Sequence, residues 1–93
     1  MEFDRWTVLL LCRRVPAPVL SEAAQDELQD RHMAYLASLH SDGRLVAAGP
    51  VEGGEAKGIA GICIYRVGVD EARNLGENDP AVRAGRFSCD VFS

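Results

Sequence analysis

Two stretches of the chain, Val8–Cys12 and Ile59–Tyr65, are apolar at odd and even positions alike. A strand presents successive side chains to opposite faces of its sheet, so an unbroken apolar run calls for burial on both faces. Helices packed on an antiparallel sheet cover one face only. A chain of 93 residues suits a single domain, residues 1–93, with a marginal core of its own. A second copy of the sheet is the simplest cover for the other face, so a homodimer through sheet faces is expected.

The remaining segments order themselves around these two runs. Arg13–Pro18 carries two prolines and cannot continue the first strand. Ser21 is a suitable N-cap, with Glu22 in the first turn, for a helix over about Glu22–Ser41 stopped by Gly43. Leu28, His32, Tyr35, Leu36 and Leu39 share one face of that helix. Leu45–Ala48 is a short second strand ending at Gly49–Pro50, and Val51–Gly58 is a glycine-rich hairpin loop. After the third strand, Asp70 can cap a short helix through about Asn78, which Asp79–Pro80 ends or kinks. Phe87, Cys89 and Val91 alternate with Ser88 and Asp90 as a final strand. The order β-α-β-β-α-β is the ferredoxin-like arrangement, an α+β fold with a four-stranded antiparallel sheet. Its central strands are the first and third, the two apolar runs.

Composition narrows the function classes. The net charge is −4 and the basic residues, Arg13 and Arg14 among them, are scattered, which disfavours nucleic acid. The longest apolar run, Val8–Cys12, is far too short for a membrane span, and Met1–Arg5 lacks the features of a signal peptide. A cytoplasmic protein is expected. Cys12, Cys63 and Cys89 form no CxxC pair and read as buried small hydrophobes in a reducing compartment. His32 and His40 do not match a zinc pattern, and Gly53–Gly58 lacks GxxxxGK[ST], so neither a metal nor a nucleotide is expected.

His32 is the residue out of place. Inside an apolar arc it is either a neutral core histidine bonded to a carbonyl or a general acid–base group, for which its ordinary pKa of about 6.5 suits it. His40, at the edge of the arc, favours the helix C-terminus. Asp79 reads as a turn residue unless the fold brings it beside His32, where a carboxylate would fix the imidazole tautomer. Tyr35 reads as a packing residue with its hydroxyl at a wet edge, and is counted among the candidate substrate contacts.

Arg31–Leu39 with its H-x-x-Y-L-x-x-L pattern, Gly43, Ala48–Gly49–Pro50, and Asp79–Pro80 followed by Gly85 together resemble the YciI-like (YCII-related) domain family. The resemblance spans nearly the whole chain. It implies a ferredoxin-like fold that pairs through its sheets as a dimeric α+β barrel. It also implies a pocket holding a histidine–aspartate pair, here His32 and Asp79, with Gly49 and Pro50 in the wall. One characterised branch resembles a dehydrochlorinase of a chlorinated hydroxylated aromatic compound, and related folds include muconolactone isomerase. A small lyase or isomerase acting on an oxygenated, cyclic or aromatic compound is therefore expected, using no metal and no organic cofactor. The alternatives are a non-catalytic small-molecule-binding or accessory protein and a dimerisation module. Gly76 weakens the second helix by about 1 kcal/mol relative to alanine. The chain stops at Ser93, where relatives often continue with an aromatic segment, so a more open pocket, or one closed by the partner chain, is expected.

Overall fold

The computed structural model describes residues 5–93; most of the N-terminal segment read for a signal peptide lies outside them. The elements are β1 (Thr7–Arg13), α1 (Glu22–Ser41), β2 (Leu45–Pro50), β3 (Ile59–Tyr65), α2 (Val69–Glu77), α3 (Pro80–Arg83) and β4 (Phe87–Phe92), with one 3₁₀ turn at Glu55–Lys57. The sheet is antiparallel throughout, in the order β2-β3-β1-β4. The two apolar runs are thus the central strands, as expected.

The sheet is buried on one side. Leu9 and Leu11 of β1, Cys63 and Tyr65 of β3, and Phe87 of β4 face the helices and meet Leu36, Leu39, Ala72 and Leu75 in one core. Each fully buried leucine contributes about 1.5–3 kcal/mol by area. The opposite face carries the cross-strand pairs Val8–Ile64 and Leu10–Ile62, half-buried in one copy, with Phe92 opposite Val8. Its centre is apolar, Ser88 and Asp90 of β4 stand along its edge, and no described helix covers it.

The long helix begins where the sequence places it, with the Ser21 hydroxyl accepting from the Ala24 N–H at 3.1 Å. Two details differ at the second helix. It starts earlier, with Gly68 at the N-cap, which moves Asp70 and Glu71 into its first turn. And Asp79–Pro80 does more than stop it: Asp79 caps a further turn, α3, with Pro80 at the first position, where its fixed φ and missing N–H are no handicap. Gly76 also acquires a reason. A Cβ there would stand 2.5 Å from Leu9 Cδ1 and 3.1 Å from Cys89 Sγ, so its bareness lets α2 lie close on β1 and β4.

Only Cys63 is fully buried; Cys12 and Cys89 are half-buried, and all three are free thiols. Cys12 sits on the uncovered face, where its thiol donates to Asp90 Oδ2 at 3.7 Å. Among the described residues no helix is long and apolar enough to cross a membrane.

Candidate active site

The buried series Leu28, His32, Leu36, Leu39 of α1 carries the imidazole to the interior of the domain. Its partner arrives from 47 residues away. Asp79, in extended conformation at the N-cap of α3, places Oδ2 at 2.7 Å and Oδ1 at 2.8 Å from His32 Nδ1. Oδ1 also accepts from the Ala81 N–H at 2.9 Å. Asp79 is 2% exposed and His32 6%. One residue therefore caps a helix and anchors the imidazole.

An ionised carboxylate only accepts, so the shared proton belongs to Nδ1 and the Nε2 lone pair points away from Asp79. No described residue bonds to Nε2, while every fully buried polar side-chain atom among the described residues has a partner. Nε2 is thus reached from the cleft that His32 lines. The Phe87 ring stands edge-on to the imidazole, centroids 6.1 Å apart, and fixes its tilt.

The cleft holds about 750 Å³ and runs between α1 and the inner face of the sheet. Its floor consists of small residues, Ala48, Gly49, Pro50, Ala60 and Gly61. Gly49 and Pro50 therefore stand where the sequence reading expects them. Tyr35 does not. Three residues past His32, it is turned about 60° around the helix, away from the cleft lining. Its hydroxyl donates to the Leu75 carbonyl at 2.6 Å and ties α1 to α2. Burial and the Asp79 charge push its pKa up, so it remains a neutral donor.

Cys63 lies in the cleft wall, but burial above all, with the Asp79 charge adding, pushes its thiol up to about 12. It is no nucleophile at neutral pH. His40 lines the far end and is exposed. Arg13 and Arg86, two of the scattered basic residues, also line the cleft. The signal for Arg13 was available: it continues the inward series Thr7, Leu9, Leu11.

TftG, the 5-chloro-2-hydroxyhydroquinone dehydrochlorinase from Burkholderia phenoliruptrix AC1100, solved in complex with 2,5-dihydroxybenzoquinone, is similar in fold. The TM-score is 0.66 at 23% identity, with 96% of this chain and 92% of that chain covered. No curated protein matches the sequence. The YCII-related domain model matches residues 7–92, essentially the whole described structure, and the chain belongs to that family.

Proposed function

We propose that the protein is a small lyase or isomerase in which His32 Nε2 is the general base and then the general acid. The observation that carries this is a buried imidazole held through Nδ1 by a carboxylate, with its second nitrogen open to a cleft. Nε2 removes a proton from carbon beside a carbonyl, and the C–H electron pair moves into the carbonyl to form an enolate. The enolate then either expels a leaving group from the adjacent carbon or takes the proton back at another carbon. Asp79 stabilises the imidazolium formed in between and keeps its tautomer. The dehydrochlorinase named above supports elimination from a hydroxylated ring as the first chemistry to try.

The test is deuterium uptake at the ring C–H positions of 2,5-dihydroxybenzoquinone, which needs the imidazolium to deliver a deuteron to the ring carbon and the imidazole then to remove the proton from that carbon beside the carbonyl, followed by NMR, together with halide release from chlorinated hydroquinones. His32→Gln is expected to abolish both while retaining the fold. Tight binding of panel members without any His32-dependent exchange would leave a binding protein and refute catalysis.

Two copies are proposed to pair through the uncovered sheet face, burying Val8, Leu10, Ile62 and Ile64 against their counterparts. The half-burial of these four side chains in one copy supports this pairing.

A further inference from the structure

Arg13 and Arg86 both line the cleft that holds His32. Arg13 is the inward residue at the end of β1, and its cross-strand partner is Phe87. The Arg86 guanidinium carbon stands 5.2 Å over the Phe87 ring. That same ring abuts His32. The Phe87 ring thus neighbours the Arg86 guanidinium and the His32 imidazole, while the Arg13 guanidinium reaches towards β3.

Among the described residues neither arginine has an acidic partner. The ion pairs among the described residues are His32–Asp79, Arg44–Asp42 and Arg73–Asp70. Arg13 donates one N–H to the Ile59 carbonyl at 3.3 Å, which orients its fork and leaves its charge unpaired. In a chain with 14 acidic residues and a net charge of −4, no acidic side chain among the described residues lines this cleft. A purely solvated distribution would mix both signs there. Guanidinium groups grip planar oxyanions through paired N–H donors, and an apolar wall strengthens that grip.

We propose that the cleft selects small anionic substrates, holding a carboxylate or ring oxyanion on Arg13 and Arg86 so that the carbon one ring's breadth away meets His32 Nε2. This assignment rests on the acid–base reading of His32 for its reacting end, but its binding end stands on the arginines alone. The arginines also stabilise the developing enolate when the anionic oxygen is conjugated with the reacting carbon.

Calorimetric titration of the full chain with 2,5-dihydroxybenzoate and with the corresponding primary amide tests it. The carboxylate is expected to bind about ten-fold or more tightly than the amide. Arg13→Gln and Arg86→Gln are each expected to weaken the carboxylate by about five-fold or more, with the amide changed by less than about two-fold. Lysine at either position restores part of the preference by charge and not the paired geometry. Arg13 is exposed, so Arg13→Gln is decisive even if the Arg86 variant loses its fold. Equal binding of acid and amide, a preference untouched by both glutamine variants, or a preference that vanishes only in His32→Gln would overturn the proposal. The two readings fail separately. Deuterium exchange without anion preference sinks this one, whereas arginine-dependent preference without exchange sinks the acid–base role.

Discussion

Replacing Asp79 by alanine and by asparagine separates its two jobs. Alanine removes the cap of α3, at about 1 kcal/mol. It also strands the His32 Nδ1–H in a buried site, at about 1–3 kcal/mol. The sum is about 2–4 kcal/mol, a large part of the stability of a domain this small. Asparagine keeps one oxygen for the Ala81 N–H and is as good a cap. Its amide nitrogen then stands where Oδ2 lies 2.7 Å from Nδ1 and opposes the imidazole N–H, which the remaining oxygen, 2.8 Å from Nδ1 and shared with the Ala81 N–H, satisfies only in part. Turning the amide over only moves the conflict to the Ala81 N–H. The relief is for the imidazole proton to move to Nε2, so that Nδ1 accepts. Asp79→Asn should therefore cost less than about 1 kcal/mol in urea denaturation yet present Nε2–H to the cleft. Long-range proton–nitrogen NMR of the imidazole reads the tautomer directly. Exchange activity should fall by about a hundred-fold or more, since a base in the wrong tautomer cannot accept. An Asp79→Asn protein that keeps the proton on Nδ1, or an Asp79→Ala protein as stable as Asp79→Asn, would refute this account of the pair.

Alkaline pH should destabilise the fold. The Cys63 thiol is pushed up to about 12 by burial and Tyr65 is raised by the same cause, so the folded state keeps protons that the unfolded chain gives up. Stability is then unaffected below about pH 8.5 and falls as pH rises from there towards 12, by about 1.4 kcal/mol per unit for the thiol; urea midpoints that stay flat from pH 8 to 11 would contradict it. Gly76→Ala gains about 1 kcal/mol in helix propensity but must push into the fully buried Leu9, an overpacking cost of about 1–3 kcal/mol. A net loss of up to about 2 kcal/mol is expected, and a melting temperature at or above that of the parent would show that α2 is not pinned there. Leu10→Asp or Ile62→Asp should convert a dimer into a monomer in sedimentation equilibrium; an unchanged mass would remove the sheet face from the interface.

What the sequence reveals follows the range of the interactions involved. The α1 face could be read residue by residue, because helical periodicity is local, and Leu28, His32, Leu36 and Leu39 are all buried as the spacing requires. The central strands could be read from their composition. The His32–Asp79 contact could not, since nothing near Asp79 distinguishes a carboxylate that caps a turn from one that also meets an imidazole 47 positions away. The family pattern alone joined them. The same locality hid α3: Pro80 reads as a terminator because it cannot continue α2, while its fitness to start a helix shows only when the chain turns there. Tyr35 was misplaced by one step of angle, since an apolar arc wide enough to include it points partly at α2 and partly at the cleft. Arg13 is hard to read because a charge beside a proline-rich loop resembles any solvated arginine.

The cleft itself has a sequence origin, and it explains why the histidine is tolerated. Under α1 the sheet offers Ala48, Gly49, Pro50, Ala60 and Gly61, five residues in two short runs with almost no side-chain volume. At Gly61 an added Cβ would come 3.2 Å from the Gly49 carbonyl oxygen, so the floor resists refilling at the level of the backbone. A domain optimised for stability would place leucines on that floor, and a leucine at position 32 against them would need no buried carboxylate. Here both departures occur together: packing is withheld from the floor, and a histidine–aspartate pair is set at its edge. An unfilled floor alone would be a cavity defect, and a buried pair alone would be a costly brace. Their coincidence leaves one nitrogen, Nε2, at the boundary between packed core and open cleft. It is there that local rules of packing are broken in favour of a site.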